Sequence, residues 1–203
     1  MVTVAAISGS LRERSYTRFA LRRALDAAET AGADTSLLDL RAFDLPPLNP
    51  DADAQGDSAA FTRRVREADA VLLGTPMYHG SYSGVLKNAL DHCGFDEFEG
   101  KTVGLLGVAG GAFPITALEH LRSVCRALDA WVLPHQAAIP NASSAFEVSE
   151  EPRSADGAGE TGGVEFVDER LDARVTTLGR RVVEYANIEP DPGTFESDQN
   201  VGG

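Results

Sequence analysis

The chain is poor in cysteine: Cys93 and Cys125 are the only two in 203 residues, with no CxxC pair and no histidine-rich spacing around them. That excludes a disulfide framework and a structural zinc centre, and both thiols read as small buried hydrophobes. No apolar run approaches the roughly 20 residues that cross a bilayer, and the amino terminus lacks a basic segment leading into an apolar core. No membrane partner and a cytoplasmic location are therefore expected. Lysine is nearly missing, since Lys87 and Lys101 are the only lysines among 18 basic residues, against 31 acidic ones. A net charge of −13 argues against a nucleic-acid partner, because neutralising phosphates needs a basic surface. It resembles instead the acidic bias of proteins from salt-loving organisms, where screening removes self-repulsion. No GxGxxG turn is present, so a dinucleotide cleft of Rossmann type is not indicated.

What is present is an alternation of short apolar runs and amphipathic helical patterns, the mark of a parallel sheet covered on both faces. Strands are expected at 2–7, 35–39, 70–75, 103–108 and 131–139. Pro134 interrupts the last, leaving open whether its pairing begins only after the proline. Helices are expected at 17–31, 58–68, 84–92, 115–128 and 168–187, with Pro114 suited to a helix start. Right-handed crossovers then favour an α/β fold with a doubly wound five-stranded parallel sheet of order 2-1-3-4-5, whose ligand crevice lies at the carboxyl ends of strands 1 and 3. The length suits one domain over residues 1–189. Within it, 46–56 reads as a surface connection, 143–163 as a flexible acidic insertion, and 190–203 as a disordered tail.

Two loops at that crevice carry chemistry. The first, Ile7-Ser8-Gly9-Ser10-Leu11-Arg12-Glu13-Arg14-Ser15, joins the first strand to the first helix. Its amides and the hydroxyls of Ser8, Ser10 and Ser15 can converge on an anion at a helix N-terminus, and Arg12 can add a forked contact to phosphate oxygens. Plain helix capping by Ser10 and Ser15 is the alternative. The second loop, Thr75-Pro76-Met77-Tyr78-His79-Gly80-Ser81-Tyr82-Ser83-Gly84, follows the third strand and runs into Val85-Leu86-Lys87-Asn88-Ala89-Leu90-Asp91.

Together, in this order, the two motifs resemble the NADPH-dependent FMN reductase family of flavodoxin-like proteins. The resemblance implies that Ser10, Arg12 and Ser15 hold the FMN phosphate, with Tyr16 and Thr17 where the family often has an aromatic and an asparagine. It implies that Pro76, Met77, Tyr78, His79 and Ser81 border one side of the isoalloxazine, their amides facing its pyrimidine edge. Met77 departs from the glutamate and His79 from the asparagine that many members carry, which puts in doubt any glutamate–arginine bridge across a dimer. His79 reads either as a proton donor or as an ordinary loop histidine. Gly110 and Gly111, after the fourth strand, suit either a close approach to a flat ring or a tight turn.

Lys87 and Asp91 are spaced to pair along a helix, and Asn88 to tie that helix to a loop; architecture accounts for all three. The apolar residues Val85, Leu86, Leu90, Leu118, Leu121, Val124 and Leu128 are either core or a subunit contact. The expected activity is a homodimeric NAD(P)H-dependent FMN oxidoreductase, with NADPH or NADH as co-substrate and a quinone, azo compound, chromate or free flavin as acceptor. No metal and no catalytic side chain are required, because the coenzyme carries the electrons. A flavodoxin-type FMN electron carrier and a non-enzymatic binder of phosphorylated ligands are the rival readings.

Overall fold

The computed structural model describes residues 1–52, 55–148 and 164–186. Its main sheet holds five parallel strands in the order β2-β1-β3-β4-β5: β1 (Thr3–Ser8), β2 (Asp34–Asp39), β3 (Ala70–Pro76), β4 (Thr102–Val108) and β5 (Trp131–Ile139). This is the doubly wound order expected from the sequence. Both β3 and β4 are buried along their whole length, as uninterrupted apolar runs in a two-sided parallel sheet require.

Strand alternation sends successive side chains to opposite faces and so builds two cores. On one face, Val4, Ala6, Leu72 and Leu106 pack against Leu21, Ala24 and Leu25 of α1 (Tyr16–Thr30) and Val175, Leu178 and Val182 of α7 (Glu169–Glu184). On the other, Ile7, Val71, Leu73 and Leu105 meet Phe61 of α2 (Ser58–Arg66), Leu86 of α3 (Gly84–Asp91), Phe98 of α4 (Phe95–Phe98) and Leu118 of α5 (Ile115–Ala127). Helices α1 and α7 approach so closely that a Cβ on Gly179 would lie 2.0 Å from the Ala24 carbonyl oxygen. Leu86, Leu90, Leu118 and Leu121 are thus core, while Val85, Val124 and Leu128 are half-buried.

The last strand has the bounds expected, and its pairing answers the question that Pro134 left open. Strand β5 pairs on both sides of Pro134, with Val132 opposite Val103 and Gln136 opposite Leu105. The proline falls inside the resulting irregularity, where its missing N–H costs no ladder bond. Arg122 covers the same stretch, its Nη2 donating to the Leu133 carbonyl at 3.0 Å. The segment 143–163, expected as a mobile insertion, opens with regular structure. A short helix α6 (Ala142–Ala145) leads into β6 (Phe146–Val148), which pairs antiparallel with β7 (Val164–Phe166). Its root is held by aromatic contacts: Phe146 stacks on Tyr16 at 4.8 Å and meets Phe166 at 4.6 Å, with Phe19 edge-on. Residues 149–163 and the expected tail at 190–203 lie outside the described residues.

Candidate active site

The strand order reverses between β1 and β3, and the loops leaving their carboxyl ends face one crevice. The first, residues 9–15, leads into α1. Ser15 caps that helix, its hydroxyl accepting from the Arg18 N–H at 3.2 Å; the hydroxyl keeps its own proton to donate outward. Ser10 and Thr17 are each 2% exposed, yet among the described residues neither hydroxyl has a hydrogen-bond partner. The Ser8 hydroxyl, at the end of β1, is fully buried and also unpartnered. Arg12 and Arg14 are exposed. No acidic residue occupies the first turn of α1, so the positive end of a fifteen-residue helix is left uncompensated in a strongly acidic protein.

Arg18 shapes this loop and was not among the residues the sequence singled out. Its guanidinium, nearly buried, donates through Nη1 to the Arg12 carbonyl at 3.1 Å and through Nη2 to the Glu13 carbonyl. Nη1 also lies 3.6 Å from the Asp39 carboxylate at the end of β2. Burial works to raise the Asp39 pKa, but hydrogen bonds from Arg41 and the charges of Arg18 and Arg41 outweigh it and hold the carboxyl below its ordinary value.

The second loop is stitched to the first by Ser83. The Ser83 hydroxyl donates to the Gly9 carbonyl at 2.6 Å and caps α3 by accepting from the Leu86 N–H at 3.2 Å. Its own N–H donates to the Thr75 hydroxyl at 2.9 Å. Gly9 completes the seam: its N–H donates to the Gly74 carbonyl at 2.8 Å. A Cβ there would stand 2.7 Å from Leu86 Cβ, so only glycine lets the first loop approach α3 this closely.

Beyond the seam, Tyr78 and Ser81 exchange backbone hydrogen bonds at 2.9 and 3.1 Å. Between them His79 (φ 51°) and Gly80 (φ 80°) both sit at positive φ, as a tight I′ hairpin turn demands. Glycine, asparagine, aspartate and histidine tolerate that region best, which gives His79 a backbone reason for its place. The Met77 N–H is spent on the Val108 carbonyl at 2.7 Å. Pro76 has no N–H, and within residues 76–82 the amides of His79, Gly80 and Tyr82 remain without a partner. The Ser81 hydroxyl meets His120 Nδ1 at 2.9 Å, and Thr116 donates to the Met77 sulfur at 3.6 Å. His120, on α5 and edge-on to Tyr82, is a second neighbour the sequence did not flag.

The third loop follows β4 and is pinned at its base, the Ala109 and Gly111 carbonyls accepting from Ala142 and Asn141 at 2.9 and 2.7 Å. Gly110 and Gly111 are exposed, and a Cβ on either would meet nothing within 4 Å. Neither packing nor positive φ therefore requires glycine at these positions. Phe113, 60% exposed, and Tyr78, 50% exposed, stand on the third and second loops. Lys87 and Asp91 form an ion pair, and Asn88 Nδ2 donates to the Leu45 carbonyl at 2.8 Å, both as architecture. A separate depression of about 270 Å³, lined by Thr3, Asp34, Thr35 and Arg64 among others, lies at the opposite, amino-terminal edge of the sheet. Among the described residues no cluster of His, Cys, Asp and Glu could hold a metal, and no helix is long and apolar enough to cross a membrane.

Unpartnered hydroxyls at an uncompensated helix N-terminus fit a phosphorylated ligand, and the open glycines of the third loop leave space for a flat one. Fold and site thus define a flavodoxin-like nucleotide-binding protein. The model of the NADPH-dependent FMN reductase family matches residues 2–144. An FMN-dependent NADPH-azoreductase of Staphylococcus aureus is 30% identical over 190 residues, 91% of this chain and 95% of the relative. Among solved structures, the flavoenzyme NAD(P)H:(acceptor) oxidoreductase FerB of Paracoccus denitrificans shares 26% identity at a TM-score of 0.69, covering 92% of this chain and 97% of that one. An NADH:FMN oxidoreductase, 19% identical with the same TM-score over 96% of this chain and 94% of its own, shares the fold. The chain belongs to the NADPH-dependent FMN reductase family. It is an NAD(P)H-dependent flavin oxidoreductase with FMN as its cofactor.

Proposed function

We propose that this enzyme passes electrons from NAD(P)H to a small planar aromatic acceptor, an azo compound or a quinone, and that it works as a homodimer in the cytoplasm. The observation that carries the reading is the pair of open glycines, Gly110 and Gly111, beside exposed Tyr78 and Phe113. They leave room and apolar surface for a flat aromatic molecule, contacts that a compact anion such as chromate cannot use. The azoreductase relative supports the same class.

Ser10, Arg12, Ser15 and Thr17 would hold the FMN phosphate by hydroxyl and charge-assisted contacts, with Tyr16 fixed behind them by its stack on Phe146. Pro76, Met77, Tyr78, His79 and Ser81 would border the ring. Of their loop, the His79, Gly80 and Tyr82 amides are donors still available to the pyrimidine edge, where negative charge grows on reduction. Gly110 and Gly111 would pass close to the ring without side-chain collision. When bound, FMN supplies the two-electron chemistry, accepting hydride as the nicotinamide is oxidised and passing two electrons onward with protons from solvent. The side chains bind, orient and exclude water, and no acid of the protein is needed. Dimerisation would cover part of the surface around Tyr78, Phe113 and Ile115, which is 44% exposed; light scattering that shows a monomer overturns this element.

The test is turnover by the FMN-loaded full chain with NADPH and with NADH, against an azo dye, a benzoquinone, chromate and free FMN. Turnover of the azo dye or the quinone well above that of chromate is expected. Reduction of chromate or free flavin without either aromatic acceptor refutes the acceptor class.

A further inference from the structure

We propose that Arg18 is a positioning residue that presets the phosphate loop for the FMN monoester, an inference that rests on reading residues 9–15 as the phosphate site. A trans peptide carries its C=O and N–H on opposite sides. By drawing the carbonyls of Arg12 and Glu13 onto its guanidinium, Arg18 turns the N–H groups of Glu13 and Arg14 to the other side of the loop. It also removes two carbonyl oxygens from the space a phosphate dianion would enter, where they would repel it.

The arrangement is built from three separate parts of the chain. Arg18 starts on the first turn of α1, its N–H tied to Ser15, and reaches back beneath the loop. Asp39 comes from the neighbouring edge of the sheet, opposite Ser8 in the strand register. Arg41 donates to Asp39 from Nε at 3.0 Å and from Nη2 at 2.6 Å. One carboxylate is thus shared by two guanidinium groups, and it fixes the Arg18 head at 3.6 Å without consuming the hydrogen bonds that the loop carbonyls need. The planar fork fixes the directions of both bonds together, whereas lysine, shorter in reach, offers a compact ammonium whose donors rotate freely. The loop is therefore rigid before the coenzyme arrives, and the ordering cost of binding is already met.

A ligand pair isolates this role. FMN and riboflavin differ only in the phosphate, so a defect confined to the loop must change one affinity and spare the other. The measurement is flavin fluorescence titration of the apo full chain, with FMN and with riboflavin, for the wild type, Arg18→Ala, Arg18→Lys and Arg12→Ala. Arg18→Ala is expected to weaken FMN by about tenfold to a hundredfold while riboflavin changes by less than about twofold. Arg18→Lys is expected to recover part of the loss. Arg12→Ala is expected to give a similar FMN-selective loss by removing a direct contact.

Equal weakening of both flavins in Arg18→Ala, or an unchanged FMN affinity, overturns the proposal. Should Arg18→Ala fail to fold, Arg18→Lys decides: a reduced FMN-to-riboflavin preference supports it and a wild-type preference refutes it. A wild type that binds both flavins equally would defeat the phosphate reading of the loop itself, and that failure is recognised before any variant is compared.

Discussion

Ser83 offers the sharpest test of how the two flavin loops are joined. The residue is 2% exposed, and its hydroxyl serves twice, donating to the buried Gly9 carbonyl and accepting from the Leu86 N–H. Ser83→Ala removes a helix N-cap, typically about 1 kcal/mol, and leaves a buried carbonyl unpaired, about 1 to 3 kcal/mol. The two effects act on different elements and should nearly add, giving about 2 to 4 kcal/mol of lost stability. At a urea dependence of about 2 kcal/mol per molar, the unfolding midpoint of the apo protein should fall by about 1 to 2 M. FMN affinity should fall as well, because the phosphate loop and the ring loop would no longer move as one body. Ser81→Ala is the matched control: its hydroxyl lies in a half-exposed site against His120, where water can replace the lost partner, and about 0.5 kcal/mol or less is expected. A midpoint shift for Ser83→Ala no larger than that of the control would refute the seam.

Gly179→Ala should destabilise by about 3 kcal/mol, because its Cβ would lie 2.0 Å from the Ala24 carbonyl oxygen and helices α1 and α7 would have to part; thermal unfolding reads it directly. Asp39 supplies a pH dependence. Its folded pKa lies below the ordinary 3.8, so its contribution to stability is complete above that value and is lost as pH falls through the folded pKa. Acid titration of the unfolding midpoint should show this loss, and Asp39→Asn should flatten that part of the curve. Burial pushes the Cys93 and Cys125 thiols up to about 12; buried Cys125 should not react with a disulfide reagent at pH 8 until urea opens the core, and half-buried Cys93 only slowly, so rapid labelling of Cys125 in the native protein would contradict its placement. Finally, a chain of net charge −13 should bind FMN faster as salt rises from about 10 mM to 500 mM, as stopped-flow quenching of flavin fluorescence would record. A rate that falls with salt would mean that Arg12 and Arg14 dominate the long-range field.

The features legible in the sequence are those set by neighbours along the chain. Residues 9–15 read as a strand–turn–helix connection because strand end, glycine, serines and arginine are consecutive, and alternation and handedness narrowed the order of five strands to a few. The Lys87–Asp91 pair was likewise visible from its spacing. What stayed hidden depends on partners far along the chain. Ser83 reaches Gly9 across 74 positions, and His120 meets Ser81 across 39. Arg18 looked like any helix arginine, because no periodicity tells which way a guanidinium folds. Strands β6 and β7, three residues each, are too short to show alternation, and they exist because Phe146 and Phe166 find Tyr16 and Phe19. Nor could the sequence say which amides of the ring loop were free: the I′ turn consumes those of Tyr78 and Ser81, a consequence of geometry at His79 and Gly80.

These points bear on how so acidic a protein holds a phosphate dianion. Its net charge repels the ligand at long range, but screening at 0.15 M salt confines that repulsion to about 8 Å, and inside that distance the nearest groups decide. There the chain has excluded carboxylates from the first turn of α1, kept the Ser8, Ser10 and Thr17 hydroxyls without internal partners, and turned two carbonyls away onto Arg18. The Asp39 carboxylate, 3.6 Å from Arg18, is already engaged by Arg41. On the proposed reading of the loop, local arrangement outweighs global charge, and binding draws on orientations fixed before the ligand arrives. It follows that surface acids elsewhere can vary freely without harming FMN binding, whereas a single carboxylate placed at position 12, 14 or 17 would reverse the sign of the field where it matters.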